Sequence, residues 1–242
     1  MRTALITILY EDSDVVVINK PDGVLSHGDD GTQTQDTVVE WLLARVPEAK
    51  GVGEPGVQKD GRIVDRSGIV HRLDRETSGV MILAKHEEAF LHLKAQFQNR
   101  NVYKEYRAFV YGQMKEGSGN IDRPIGRSAS DFRLRSAQRG AKGILRSAVT
   151  EWERIGQTKS HSYLRVMPKT GRTHQIRAHL KAISHPVVCD PLYAPSFICE
   201  LGFGRLALHA HILGIEVPKG ETIHFVAPLP QEFITAADNM NG

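Results

Sequence analysis

The nonapeptide His71-Arg72-Leu73-Asp74-Arg75-Glu76-Thr77-Ser78-Gly79 sets one carboxylate between two guanidiniums. A neighbouring cation favours the charged form of a carboxylate, so Arg72 and Arg75 are expected to keep Asp74 ionised. An ionised carboxylate among cations is what a polyanionic substrate with a reacting sugar would meet. Ile69 and Val70 precede the turn, and the apolar run from Val80 to Ala84 follows it as a buried strand. A charged turn between two apolar runs holds its side chains at a fixed place on a rigid frame. Taken alone, an Arg-x-x-Arg turn is ordinarily a set of solvated ion pairs that contribute little.

The elements that must position this turn are legible from periodicity. Leu5 to Tyr10 and Val15 to Ile18 flank the turn residues Glu11 to Asp14 and read as a hairpin. Asn19-Lys20-Pro21-Asp22-Gly23 breaks the second strand, a structural role. Thr37 to Val46 carries a helical stripe ended by Pro47, and residues 51 to 62, rich in glycine, read as a mobile loop. Glu87 to Asn99 and Thr173 to Ile183 have helical spacing. Val102 to Tyr111, Arg146 to Ile155, Ser162 to Val166, Arg205 to Val217 and Thr222 to Val226 read as strands, and Pro230 to Ala237 as a closing helix. Strands outnumber helices without alternating strictly with them. That predicts an α+β domain with a mixed, largely antiparallel sheet, taken as one domain over residues 1 to 242.

The 242 residues suffice to bury a sizeable core. No apolar run of 18 residues exists, and the first residues lack the apolar core of a signal peptide. The two cysteines, Cys189 and Cys199, make no disulfide framework and fit a reducing cytosol. The net charge of +3 is mild, but its distribution is not. From Arg123 to Arg146 there are six arginines and Lys142 against the single acid Asp131. Clustered positive charge is the footprint of a nucleic-acid binder, and this segment is expected to contact RNA phosphates. His209-x-His211 and the pair His174 and His179 lack a Cys or carboxylate partner at metal-ligand spacing, so no metal site is expected.

Four further strings complete the pattern. In Lys104 to Gly112, strand alternation puts Tyr106, Ala108 and Val110 on one face, so Tyr106 points inward. In Thr170 to Leu180, Arg177 lies about 100° round the helix from Ile176, at the edge of the buried stripe. Arg172, Thr173 and His174 stand at that helix's start, where free N–H groups favour anions. The remaining strings are Arg205 to Ala210 and His185 to Tyr193.

Together with His71 to Lys85, these strings resemble the RluA-type RNA pseudouridine synthases, in the same order and over roughly residues 8 to 229. The resemblance implies the pseudouridine synthase fold, with a central catalytic cleft and flanking helices. It makes Asp74 the catalytic carboxylate, Arg177 its ion-pair partner, Tyr106 the active-site aromatic and Leu208 an apolar floor for the target base. It gives Arg72 the task of filling the gap that a flipped nucleotide leaves. Cys189 stands where the family usually has glycine, so the backbone there is expected to suit a side chain. The first strand begins by about residue 5, so the S4-type RNA-binding domain that other members carry before this point is not expected here.

Pseudouridine formation breaks uracil N1 from ribose C1′, turns the base and rejoins it through C5. The reaction is redox-neutral, so no cofactor is expected. The partner is ribosomal or transfer RNA, reached in the cytoplasm by a monomer with no obligate protein partner and no membrane attachment. A glycoside hydrolase would ordinarily pair two carboxylates across the bond, and this turn offers one. A non-catalytic RNA-binding or ribosome-assembly protein on the same fold would have no need of Asp74, Tyr106 and Arg177 together.

Overall fold

The computed structural model describes residues 2–28, 37–57, 61–131 and 133–241. In chain order the elements begin with β1 (Thr7–Glu11), β2 (Val15–Lys20), α1 (Val38–Arg45), β3 (Gly56–Val57), β4 (Ile63–Val64), β5 (Ser78–Ala84) and α2 (Glu87–Asn99). There follow β6 (Tyr103–Tyr111), β7 (Ser118–Asp122), β8 (Ile125–Arg127), β9 (Arg135–Ser136), β10 (Lys142–Arg146), β11 (Val149–Gln157) and β12 (His161–Pro168). The chain ends with α3 (Gln175–Ala182), β13 (Leu208–Glu216), β14 (Thr222–Val226) and α4 (Gln231–Asn241). It divides into two compact units, one of residues 1–103 and 210–228 and one of residues 104–209 and 229–242.

In the first unit β1, β2 and β5 are consecutive antiparallel neighbours, and β13 pairs with β14. All seven residues of β5 are buried, as its uninterrupted apolar run requires of an interior strand. Helix α1 starts on a reciprocal cap: the Glu40 amide donates to Thr37 Oγ1 (3.1 Å) and the Thr37 amide to Glu40 Oε2 (3.0 Å), a device worth about 1 kcal/mol. Part of the expected loop at 51 to 62 forms the short β3–β4 hairpin, and residues 58–60 of it lie outside the described residues.

In the second unit β6, β12, β11 and β7 run antiparallel in that order. Its core includes Phe109, Leu164, Val166, Ile176, Leu180 and Phe233. Phe109 stacks on Tyr163 with ring centroids 4.2 Å apart, and α4 adds the buried Phe233. The strand expected from Arg146 begins at Val149, because residues up to Arg146 belong to a separate small sheet in the order β10–β8–β9.

Cys189 and Cys199 form a disulfide with Cα atoms 4.8 Å apart. This corrects the expectation of two unlinked thiols. The short loop between them turns back on itself and brings the pair within bridging distance. Cys189 also has a φ of 57°, the left-handed backbone that favours glycine, so the backbone there has not adjusted to its side chain.

Gly79 closes the charged nonapeptide at a φ of +119°, and a Cβ there would run into the backbone of Ala210. Gly79→Ala is therefore expected to destabilise the protein by at least about 1 kcal/mol. Gly117→Ala, where a Cβ meets open space, should be near neutral. Urea unfolding midpoints of the two variants check the contrast.

Candidate active site

The nonapeptide lies between Ile69 and β5 in the first unit, and its backbone is tied on both sides of Asp74. On one side, Leu73 exchanges two hydrogen bonds with Ser26: the Leu73 amide donates to Ser26 Oγ (3.1 Å), and that hydroxyl donates to the Leu73 carbonyl (2.9 Å). On the other, the Arg75 carbonyl accepts from the Gly23 amide (2.8 Å) and from Lys20 Nζ (3.3 Å). The Lys20 side chain is fully buried and also donates to the carbonyls of Val24 (2.8 Å) and Pro21 (2.9 Å). Residues Lys20 to Ser26 are thus a cradle for the turn. The Thr77 amide closes the turn on the Asp74 carbonyl at 3.1 Å. Leu73 is buried while Asp74 is half-buried, so the carboxylate sits at the boundary of a fixed backbone and solvent.

Arg72 is exposed and approaches His27, with Nη1 3.3 Å from Nε2. His27 Nδ1 lies 2.9 Å from the Gly28 carbonyl. A proton on Nδ1 would leave Nε2 as the acceptor for Arg72. Burial, and after it the charge of Arg72, push the Arg66 guanidinium below its usual range. His71 is structural: its Nε2 accepts from the Ile82 amide (3.1 Å) and its ring stacks on Phe97 at 4.7 Å.

The second unit carries the other three residues. Tyr106, on β6, is half-buried and packs against the core cluster that contains Ala108, Val110, Ile176 and Leu208. Its inward direction follows from the strand alternation. Leu208 is buried in that same cluster, so ordinary core packing holds it. Ile176 belongs to the cluster as well, and the next residue is Arg177.

Arg177 is fully buried, deeper than a position at the edge of the stripe implies. It makes a bidentate ion pair with Asp190, Nε to Oδ2 and Nη2 to Oδ1, both at 2.7 Å. Such paired, charge-assisted bonds fix the plane of the guanidinium. Asp190 is itself fixed, since its Oδ1 accepts from the Leu192 amide (2.9 Å) and the Tyr193 amide (3.0 Å). The Tyr193 ring lies 5.2 Å from Arg177 Cζ. Sequence reasoning missed Asp190 as a partner of Arg177, although both stand in the strings singled out above. Thirteen residues separate them, and no local periodicity joins a helix to the loop that follows it.

Helix α3 begins at Gln175, two residues later than expected, because His174 adopts a left-handed φ of 53°. The buried Gln175 side chain sets that start. Its Oε1 accepts from Thr170 Oγ1 (2.7 Å) and the Arg172 amide (3.0 Å), and its Nε2 donates to the Val149 carbonyl (3.0 Å). His179, one turn on, is buried between Thr150 Oγ1 and the Arg123 carbonyl, each at 2.9 Å. Burial pushes its pKa down, so it serves as a neutral core residue.

Asp190→Asn removes a carboxylate charge that is paired with a guanidinium of no solvent exposure. The expected loss is about 3–5 kcal/mol of stability, the usual result of breaking one partner out of a buried pair. Urea denaturation followed by tryptophan fluorescence checks it.

Comparison with known proteins identifies a family. The family model for RNA pseudouridylate synthase matches residues 14–182. A Synechocystis sp. protein named as an RNA pseudouridine synthase is 40% identical over 227 residues, covering 93% of this chain and 66% of its own length. The ribosomal large subunit pseudouridine synthase D of Vibrio vulnificus is 36% identical over 245 residues, covering 96% of this chain and 70% of its own length. The chain thus spans about two thirds of the length of these relatives. Among solved structures, human RNA pseudouridylate synthase domain containing 1 superposes with a TM-score of 0.72 at 27% identity, covering 93% of this chain and 84% of its own. On the matched model, the relatives and the shared fold together, the chain belongs to the RNA pseudouridylate synthases, isomerases that convert uridine in RNA to pseudouridine.

Proposed function

We propose that this protein isomerises one or a few uridines of ribosomal RNA, with Asp74 as the reacting carboxylate. The observation that carries this reading is the cradle of Lys20 to Ser26, which fixes the backbone on both sides of Asp74 and leaves its carboxylate at the solvent boundary. Ribosomal RNA is favoured over transfer RNA because several relatives, from Vibrio and Pseudomonas species among others, are named for the large ribosomal subunit. The protein is taken to act in the cytoplasm, as a monomer without an obligate protein partner. No helix among the described residues is long and apolar enough to cross a membrane.

The reaction begins with the target nucleotide turned out of its helix, since C1′ and C5 are out of reach in a stack. Asp74 then either attacks C1′ or takes a proton from C2′ to give a glycal. In both routes the N1–C1′ bond breaks, the uracil turns, C5 bonds to C1′ and the C5 proton leaves to solvent; in the first route the bond between Asp74 and C1′ breaks as C5 bonds, and in the second the proton held by Asp74 returns to C2′. Tyr106 stacks on the uracil and Leu208 supports it. Arg177 is assigned as the cation that partners Asp74, and Arg72 fills the gap left in the RNA. A planar guanidinium suits that last task because it stacks and hydrogen-bonds at once.

Asp74→Asn is expected to lower the single-turnover rate by roughly three orders of magnitude or more while RNA affinity stays close to wild type. Tritium release from RNA carrying C5-tritiated uridine reads the rate, and activity near wild type would remove Asp74 from the chemistry. Free uracil as the product would indicate a hydrolase instead. Tyr106→Leu should slow the chemical step by about fivefold to 150-fold, the rate equivalent of the roughly 1–3 kcal/mol of a base–aromatic stack. Tyr106→Phe should retain most of the rate, and its complete loss would give the hydroxyl a chemical part.

A further inference from the structure

Strands β8 and β10, Arg135 of β9 and the chain leading into α3 line a cavity of about 520 Å³ in the second unit. Four arginines line it, Arg127, Arg135, Arg146 and Arg172, and no carboxylate is among the lining residues. Like charges gathered in one concavity repel, and an anionic ligand relieves that repulsion. The volume falls within the range of about 300–1,000 Å³ typical of ligand sites and exceeds what a bare phosphate needs. Ile144, also on the lining, is 83% exposed, an apolar contact beside the charges.

The cavity separates two kinds of arginine in the basic segment. Arg133 is neutralised by Asp131, with Nε 3.1 Å from both carboxylate oxygens and Nη2 2.7 Å from Oδ2. Arg123 Nη1 donates to the Ala182 carbonyl at 2.8 Å. Neither lines the cavity. Arg127, Arg135 and Arg146 do, and no carboxylate pairs with them among the described residues. Arg172, from outside the segment, joins them and is braced by Nε on the Ser147 carbonyl at 3.1 Å.

We propose that this cavity is an RNA backbone site: it takes phosphodiester and ribose of the strand flanking the target uridine. The proposal rests on the reading of the protein as an RNA isomerase and deepens it, because it assigns affinity to one set of arginines and none of the chemistry. The cavity includes neither Asp74 nor Tyr106. A folded phosphate grip of this kind holds substrate in every turnover and leaves sequence choice to other contacts.

The test compares two charge-matched variants, Arg127→Gln/Arg146→Gln in the cavity and Arg133→Gln/Arg139→Gln outside it. All four side chains are exposed, so neither variant disturbs the core. RNA affinity is measured against salt concentration, and the single-turnover rate at saturating RNA. Each phosphate contact with single-stranded RNA contributes about 0.7 to the slope of log affinity against log salt. The cavity variant is expected to flatten the slope by up to about 1.4 and to raise Kd roughly tenfold at about 100 mM salt, with the saturated rate unchanged. The outer variant should leave the slope near wild type. Equal slopes in the two variants, whether both flattened or both unchanged, would overturn the site. So would competition by inorganic phosphate or uridine monophosphate as effective as that by an RNA oligonucleotide, since the cavity would then hold a free small anion. A wild-type protein that binds RNA but forms no pseudouridine would refute the isomerase reading alone, because the salt comparison reads the cavity without turnover.

Discussion

A lysine ammonium withdrawn from solvent needs several acceptors, and Lys20 has the carbonyls of Pro21, Val24 and Arg75. The first two belong to the turn that breaks β2. The third belongs to the turn that carries Asp74, 55 residues further on. One buried cation therefore joins the end of β2, the loop after it and the turn that carries Asp74. The Gly23 amide and the Ser26 hydroxyl add to the same junction. Removing the ammonium takes a donor from all three carbonyls at once, and the one on Val24 lies at a buried bond, so the junction is held as a unit. The reactivity assigned to Asp74 depends on this, because a carboxylate aimed at a sugar carbon loses rate steeply with small displacements.

The second unit solves a related problem with opposite charges. Arg177 is held in the plane of Asp190, and Asp190 by two backbone amides of its own loop. The residue next to Asp190 is Cys189, left-handed and bridged to Cys199. The loop that orients the arginine is thus constrained by a covalent link at the residue before it. Tyr106 and Leu208 are held by different means, through packing in a common apolar cluster.

Much of this was legible from the chain alone where the signal was local. The apolar run of β5, the periodicity of α2 and the alternation that turns Tyr106 inward each rest on neighbouring residues. What escaped was set by distant partners. Lys20 read as part of a strand break, because nothing near it in sequence reveals Arg75 as an acceptor. Asp190 passed unremarked as the partner of Arg177. The delayed start of α3 follows from Gln175 reaching Val149 and Thr150 on another strand. The basic segment read as one undivided patch, and only the small β10–β8–β9 sheet sorts its arginines into those that line the cavity and those that do not.

The most direct test of the account is Lys20→Met, which keeps the volume of the side chain and removes the ammonium. The variant should lose about 2–4 kcal/mol of stability. At a temperature where it remains folded, its single-turnover rate at saturating RNA should fall by more than about tenfold, the result of a small displacement of Asp74. RNA affinity should stay near wild type. A folded Lys20→Met protein with the wild-type rate would contradict the claim that this buried cation positions the catalytic carboxylate.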